Sequence, residues 1–319
     1  MTKTPILVMA FNRPRTLSAL LSRIEKLDKR EVMISIDGPT IHGAKEQQLV
    51  LKSASAWKGS SKHEVDIVRR SSNLGIYDHL PIALQEFFDK QNYGLILEDD
   101  IEFIPGLIDF VDKNIYLIEE MRLWSICGHN PLNTSDPTSR NNSKLSFRPS
   151  NFHSIWGWAT SKENALRFIN QYSVEVDLEE AFKTLSLTAK SLTSDPFLQR
   201  AFVLTWLRKI SGWNERRERS GWDTRWAYEG WKVGKLSVLP DISLSREVLD
   251  QTEGQTHEHV SSGSAWKVPA ESKFFFELSK TSRTDDIRRL KTWGINRKYS
   301  WVFARRIERQ LREFKLWPL

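Results

Sequence analysis

The chain has 319 residues, 39% of them hydrophobic, and a formal net charge of +7, an ordinary composition for a globular protein with a sizeable core. Its single cysteine, Cys127, excludes an internal disulfide framework and a cysteine-based zinc site. No run of residues reaches the roughly 18 apolar positions of a membrane span, and residues 1–5 lead into a strand-like segment without a signal-peptide pattern. We therefore expect a cytoplasmic protein.

The first hundred residues alternate between strand-like and helix-like segments. Pro5–Phe11 predicts a buried strand, and Pro14 suits the first turn of the helix that follows. Further strands are predicted at 31–36, 64–68 and 95–97, with helices at 44–57 and 79–90 between them. This alternation predicts a parallel sheet with right-handed crossovers, in the α/β class.

Each of these predicted strands is followed by polar residues. They are Asn12 and Arg13, then Asp37, then Asn73 with Gly75, and finally Glu98, Asp99 and Asp100. The carboxyl ends of parallel strands share one edge of a sheet, where open α/β proteins bind ligands. Because no glycine-rich phosphate loop is present, a diphosphate there would need a metal and side chains. The pattern predicts a nucleotide-sugar site.

The acidic triplet Glu98-Asp99-Asp100 directly follows the apolar run Leu95–Leu97. Adjacent carboxylates repel one another unless a cation lies among them. Mg²⁺ or Mn²⁺ suits such oxygen ligands, and a nucleoside diphosphate could complete its coordination. Acids after a strand also solvate loops and cap helices, so the triplet alone leaves both interpretations open.

The second half of the chain is rich in tryptophan, with seven of the thirteen between Trp156 and Trp231. Their rings could stack on the sugars of an acceptor, although core packing is the more common use. Residues 131–149 predict a long surface loop. Asp223 begins a predicted helix, as a cap or as a catalytic carboxylate. His257, in a polar segment, could reach a metal or a phosphate, or could simply be solvated.

Six motifs occur in the order found in GT-A glycosyltransferases. They are Pro5–Arg13, Asp37-Gly38, Asn73-Leu74-Gly75, Leu97–Asp100, Ile155–Trp158 and Trp222–Trp226. Over about residues 4–260 the chain resembles the N-acetylglucosaminyltransferase I-like group of that family and its bacterial relatives. The resemblance implies a Rossmann-like, mostly parallel sheet flanked by helices. Residues 1–130 would form its nucleotide-sugar half and 131–265 its acceptor half, followed by a basic extension over 266–319.

The resemblance further implies an inverting, metal-dependent transfer from a nucleoside-diphosphate sugar, with a UDP-sugar favoured, to a saccharide hydroxyl. Asp100 resembles the direct Mn²⁺ ligand, and His257 is a second candidate ligand. Asp223 resembles the general base. The candidate donor-binding residues are Arg13, Asp37 at the uracil edge, Asn73, Glu98 and Asp99.

The chain departs from the animal members of this group in two respects. Those enzymes have two adjacent acids where Thr224 follows Asp223 here, so Glu229 is an alternative base. They also carry an N-terminal membrane anchor. We therefore expect a bacterial enzyme of surface-polysaccharide synthesis (O-antigen, capsule or lipopolysaccharide) whose acceptor is a saccharide or lipid-linked saccharide at the cytoplasmic membrane.

The basic charge is concentrated at the C-terminus. Residues 283–319 contain eleven Lys and Arg against four acids and so account for the whole net charge of +7. Within Trp301–Trp317, apolar residues recur at helical spacing with basic residues on the other faces. Such a helix predicts peripheral docking on an anionic membrane surface, or else packing against the body or a partner chain.

Three other classes of function remain as alternatives. A nucleotidyltransferase usually has a glycine-rich basic first loop, which Ala10–Pro14 is not. A non-catalytic sugar-nucleotide-binding relative would not need both Asp100 and Asp223. A nucleic-acid-binding protein would spread its basic charge over a recognition surface, whereas here the charge is confined to the tail, so we expect no nucleic-acid partner.

Overall fold

The computed structural model describes residues 3–41, 43–131, 144–217, 221–248 and 275–278. The strands are β1 (Ile6–Ala10), β2 (Glu31–Ile36), β3 (Glu64–Arg69), β4 (Tyr93–Glu98), β5 (Ile101–Phe103), β6 (Ser125–Cys127), β7 (Lys144–Ser150), β8 (Trp158–Ser161), β9 (Ser237–Pro240), β10 (Ser245–Glu247) and β11 (Phe275–Leu278). The helices are α1 (Pro14–Ile24), α2 (Ala44–Ser60), α3 (Gly75–Lys90), α4 (Pro105–Asn114), α5 (Leu117–Glu120), α6 (Lys162–Tyr172), α7 (Leu178–Leu192), α8 (Pro196–Glu215) and α9 (Trp222–Lys232).

Nine strands of the described ranges form one sheet in the order β11-β7-β9-β6-β8-β4-β1-β2-β3. The four strands β3, β2, β1 and β4 are mutually parallel and are connected through α1, α2 and α3. β8 runs antiparallel to both β4 and β6, and β7 runs antiparallel to β9. The predicted α/β class, with a mostly parallel sheet flanked by helices, is confirmed.

The sheet is covered on both faces, as the sequence of β1 illustrates. Ile6, Val8 and Ala10 pack on one side with residues of α1 and α2. Leu7 and Met9 pack on the other side with residues of α3 and α6. All five side chains are buried, which is why β1 is a continuous apolar run rather than an alternating one.

Most of the tryptophans between Trp156 and Trp231 serve the core. All except Trp156 are buried, and the ring centroid of Trp226 lies 4.4 Å from that of Trp158 and 4.5 Å from that of Trp124. Core packing, the more common of the two uses considered for these tryptophans, therefore holds for the buried rings, which cannot stack on acceptor sugars. Only Trp156 of this group is half-buried and retains an accessible face.

The loop predicted over residues 131–149 is wrong at its C-terminal end. Residues Lys144–Ser150 form β7, which is antiparallel to β9. Phe147 is buried with its ring centroid 5.1 Å from that of Phe110, and Arg148 forms an ion pair with Asp241 at 2.6 Å. The pairing with a distant strand overrides the polar, proline-containing local sequence. Residues 132–143 lie outside the described residues.

A second, two-stranded sheet stands directly after the acidic triplet. β5 pairs antiparallel with β10, and the amide nitrogen of Val248 donates to the carbonyl oxygen of Asp100 at 2.7 Å. Glu102 of β5 bridges Arg23 of α1 and Arg246 of β10. These contacts fix the chain that precedes residue 249 beside Asp100.

Two sequence predictions lie largely beyond the described ranges. His257 and the basic helix predicted over Trp301–Trp317 are both outside them. Of the predicted extension 266–319, the backbone of Phe275–Leu278 is described and forms β11, parallel to β7.

No helix in the described part of the chain is both long enough and apolar enough to cross a lipid bilayer.

Candidate functional site

The carboxyl ends of β1, β2 and β4 are joined by backbone hydrogen bonds. The amide nitrogen of Asp37 donates to the carbonyl of Ala10 at 2.9 Å, and that of Asp99 donates to the carbonyl of Met9 at 2.8 Å. The amide nitrogen of Phe11 in turn donates to Oδ2 of Asp99 at 3.0 Å. The polar residues that follow these strands thus meet at one edge of the sheet, as predicted.

Arg13 stands at the start of α1 with its guanidinium between two carboxylates. Its Nη1 forms an ion pair with Oδ2 of Asp100 and lies 3.4 Å from Oδ1 of Asp99. Both acids are buried, with 3% of the surface of Asp99 and 9% of that of Asp100 exposed. Burial opposes the charge of Arg13, but the two carboxylates outweigh it and raise its pKa above the ordinary value. Arg13 is thus a fixed positive charge within the acidic cluster.

Glu98, the first acid of the triplet, has a raised pKa. Its pKa is raised to about 8, mainly because burial disfavours the charged form and also because Asp100 and Asp99 repel it, whereas Arg13 acts in the opposite direction. At neutral pH Glu98 is therefore mostly protonated.

Asp37 organises the loop that leads into α3. Its Oδ1 accepts hydrogen bonds from the amides of Gly38 at 2.7 Å and Leu74 at 2.9 Å. Its Oδ2 accepts from the amide of Gly75 at 2.9 Å and from Nδ2 of Asn73 at 3.0 Å. A carboxylate offers about four lone-pair sites, so these four donors occupy it fully. Contact between Asp37 and a uracil edge stays a prediction, and a base would have to share these acceptors.

The same bonds explain why α3 begins earlier than predicted. The sequence predicts a helix start at His79, yet α3 begins at Gly75, which has a φ of 70°. The carboxylate of Asp37 reaches across from β2 and satisfies the amides of Leu74 and Gly75. A cap 37 residues away in sequence leaves no local signal.

Asp223 lies in the first turn of α9 and is half-buried. The ring centroid of Trp222 is 6.1 Å from that of Trp158, and Trp158 pairs with Ile96 near the end of β4. The N-terminus of α9 therefore lies on the side of the sheet edge that holds the acidic triplet. Gly221 precedes it with a φ of 73°, and a Cβ atom on Gly221 would lie 2.3 Å from Oδ1 of Asp223.

Glu229, the alternative base, is enclosed in the protein. Only 1% of its surface is exposed, and its carboxylate is 2.9 Å from Nη2 of Arg225. The pKa of Glu229 is raised because burial outweighs the opposing effect of Arg225. An acceptor hydroxyl arriving from solvent could not reach this carboxylate, so Asp223 is the better candidate of the two acids in α9.

His129, which packs on Trp156, is a residue of this sheet edge that the sequence motifs did not single out. His129 follows β6, whose direction makes it parallel to β4, and its ring centroid lies 4.5 Å from that of Trp156. The amide nitrogen of Gly128 donates to the carbonyl of Gly157 at 2.7 Å, so the two loops are joined. Burial lowers the pKa of His129 to about 4 and keeps it neutral. The detectable signal was again a polar residue following a short apolar strand.

A divalent cation fits the donor set of this edge. No group of three or more His, Cys, Asp or Glu side chains among the described residues is arranged to hold a metal ion by itself. Carboxylate oxygens of Asp99 and Asp100 nevertheless converge on one positively charged nitrogen of Arg13. Hard oxygen ligands around a cationic position suit Mg²⁺ or Mn²⁺, provided that a substrate supplies the remaining ligands.

The fold and the candidate site define an α/β protein with a cluster of charged side chains at the carboxyl edge of a mixed sheet. Comparison with known proteins adds no family to this description. No protein-family model matches the chain, and a search of curated proteins found no significant match. The resemblance to GT-A glycosyltransferases therefore depends on the six sequence motifs.

Proposed function

We propose that the protein is an inverting glycosyltransferase that transfers a sugar from a nucleoside-diphosphate sugar, preferably a UDP-sugar, to a hydroxyl of a saccharide. The observation that carries the proposal is the charged cluster of Arg13 with Asp99 and Asp100 at one sheet edge, which is suited to a diphosphate. It is supported by Asp223, a half-buried carboxylate in the first turn of α9, whose neighbour Trp222 packs near Trp158 on the same side of that edge. The charged cluster and the carboxylate are both required by a single-displacement transfer.

The donor would be held by the parallel half of the sheet. The guanidinium of Arg13 would pair with the diphosphate, and Asp100 would hold Mn²⁺ or Mg²⁺. When bound, the cation would stabilise the negative charge that develops on the departing nucleoside diphosphate. Asp37 and Asn73, which fix the loop before α3, would shape the nucleoside pocket.

Asp223 would act on the acceptor. A sugar hydroxyl is a weak nucleophile, so a carboxylate within hydrogen-bond distance would take its proton as the new glycosidic bond forms. The bond between the donor sugar and the diphosphate breaks in the same step, and the diphosphate leaves with the electron pair. One base is sufficient for inversion, and no covalent enzyme intermediate is needed.

The acceptor would be a saccharide or lipid-linked saccharide of a bacterial surface polysaccharide. The basic C-terminal region would hold the enzyme peripherally at the inner face of the cytoplasmic membrane, where anionic lipids attract Lys and Arg.

The proposal is tested by calorimetric binding of UDP, GDP, dTDP, CMP and common UDP-sugars, with and without Mn²⁺. We expect one base class to bind in a metal-dependent way, and Asp100→Ala to abolish that dependence. Asp109→Ala, which removes the charge of an exposed acid on α4, is the matched control and should bind as the wild type does.

Asp223→Asn separates binding from catalysis. It should bind the donor normally and lose transfer by on the order of 10²- to 10⁴-fold, the usual contribution of a general base. Normal turnover by this variant would reject Asp223 as the base. Failure of every nucleotide to bind the wild type would reject the glycosyltransferase proposal itself.

A further inference from the structure

The contacts of Arg13 indicate how the donor and the cation bind. The inference drawn from them rests on the proposed function. We infer that Arg13 is a built-in counter-ion of Asp100 that a divalent cation must displace. The released guanidinium then pairs with the diphosphate of the donor. The cation and the nucleotide consequently bind as a coupled pair rather than independently.

The contacts of Arg13 place it in the position that a cation would take. A single nitrogen, Nη1, contacts Oδ2 of Asp100 and lies 3.4 Å from Oδ1 of Asp99. Asp99 is also held through Oδ2 by the amide of Phe11 at 3.0 Å, so its carboxylate is fixed. A divalent ion approaching Asp100 therefore meets a positive charge already bound there.

Displacement of Arg13 requires movement of its side chain only. Its carbonyl oxygen accepts hydrogen bonds from the amide of Leu17 at 3.1 Å and from Oγ1 of Thr16 at 3.2 Å, which hold the backbone at the start of α1. The side chain itself is 22% exposed, whereas the side chains of Asp99 and Asp100 are 4% and 12% exposed. Rotation about the side-chain bonds can thus carry the guanidinium outward while the two carboxylates stay in place.

The charge balance explains the coupling. A cation that binds alone deprives Arg13 of its anionic partners, and a diphosphate that binds alone adds at least two negative charges beside Asp99 and Asp100. Either change is unfavourable at a largely buried site. Bound together, the two ligands nearly cancel each other, and Arg13 exchanges one anionic partner for another. A planar guanidinium suits both partners, because it pairs bidentately with carboxylates and with phosphates.

The experiment measures binding of Mn²⁺ alone, UDP alone and both together, by calorimetry and by the electron paramagnetic resonance signal of free Mn²⁺. In the wild type, each ligand should tighten the binding of the other by roughly 5- to 150-fold, the usual range of coupling between two sites. Arg13→Gln should tighten the binding of Mn²⁺ alone by a similar factor and should lose most of the coupling. Arg13→Lys, which keeps the charge, should bind Mn²⁺ alone about as the wild type does.

Arg15→Gln is the matched control, since Arg15 is an exposed residue two positions later on the same helix and should leave all three affinities unchanged. Independent binding of Mn²⁺ and UDP to the wild type would overturn the inference without any variant. So would wild-type Mn²⁺ affinity in a folded Arg13→Gln protein, or tightening by Arg13→Lys equal to that by Arg13→Gln. The results of the two Arg13 variants would leave the proposed function standing. Independent binding in the wild type would also remove the expected metal dependence of donor binding, and absence of all nucleotide binding would remove both proposals.

Discussion

At the scale of single residues, the orientation of Asp223 depends on the absence of a side chain at the preceding helix boundary. Gly221 has a φ of 73°, and a Cβ atom there would be 2.3 Å from Oδ1 of Asp223. Two separate constraints thus favour glycine at this position. The first is backbone conformation, and the second is the space that the carboxylate occupies.

Gly221→Ala should therefore displace Asp223 as well as strain the backbone. We expect transfer to fall by about 10- to 100-fold, because a small misplacement of a reacting group has such effects. Donor affinity should be unchanged. Steady-state kinetics together with calorimetric donor binding would measure the two quantities.

Gly234→Ala supplies the matched control for this prediction. Gly234 follows α9 with a φ of 66°, and nothing lies within 4 Å of the position of its added Cβ. Gly234→Ala should show the backbone cost of a side chain at positive φ, about 1–2 kcal/mol, but retain transfer. Equal loss of transfer in both variants would mean that strain, and not the position of Asp223, is responsible.

At the scale of elements, α9 is held by a buried ion pair one turn beyond Asp223. Arg225 and Glu229 are 3% and 1% exposed in their side chains, with Nη2 and Oε1 2.9 Å apart. Nη1 of Arg225 also donates to the carbonyl of Val174 at 2.9 Å. The alignment of the ion pair is poor, since neither oxygen of Glu229 has a hydrogen-bond partner within the described ranges. Each charge therefore depends on the other for compensation.

Removing one member of this pair should lower the free energy of unfolding strongly, whereas removing both members should lower it much less. Arg225→Met leaves a buried carboxylate and should lower the free energy of unfolding by about 3–5 kcal/mol. The double variant Arg225→Met with Glu229→Leu should recover most of this loss. Urea denaturation of the two single variants and the double variant would measure the coupling.

The exposed pair of Lys183 and Glu179 on α7 provides the comparison, with side chains 69% and 63% exposed. Lys183→Met should change the free energy of unfolding by no more than about 0.5 kcal/mol. A loss at Arg225 as small as this would show that the buried pair contributes nothing to the stability of α9.

At the scale of the whole molecule, several histidines are buried in the neutral form. Burial lowers the pKa of His79 and His129 to about 4 and that of His153 to about 3. Each pKa is lower in the folded than in the unfolded protein, so the unfolded chain binds more protons below the ordinary value of 6.5. Stability contributed by the neutral forms is present above that value and is lost as the pH falls. Glu98, with its raised pKa, has the opposite effect.

We therefore expect the free energy of unfolding to fall as the pH is lowered from 6.5 towards 4. The slope should reach up to about 1.4 kcal/mol per pH unit for each histidine. Urea denaturation at a series of pH values would measure it. His153→Gln should remove the contribution of one histidine and make the pH dependence shallower. Glu98→Gln should make it steeper, because the raised pKa of Glu98 acts in the opposite direction. A free energy that does not change over this range would contradict the burial of neutral histidines.

Much of the site could be predicted from the sequence because parallel strands end at a common edge. This geometry explains why Arg13, Asp99 and Asp100 were expected to lie together, and the ion pairs between them confirm it. It also explains why Asp37 and Asn73 were expected at one place, where they form a hydrogen bond at 3.0 Å. The roles of these residues towards ligands, and that of His257 outside the described ranges, stay predictions.

The sequence by itself determined the features that depend on local periodicity and composition: the alternating strands and helices, the apolar run of β1 and the polar residues at strand ends. Only the tertiary structure decided which charged and polar groups form ion pairs or hydrogen bonds within the protein and which are buried. The charge of Arg13 is compensated by acids 86 and 87 positions away, Asp37 accepts hydrogen bonds from a loop 36 to 38 positions away, and Glu229 is enclosed on the buried side of α9. The physical reason is that hydrogen-bond satisfaction and burial depend on contacts between distant segments, which a local pattern does not encode.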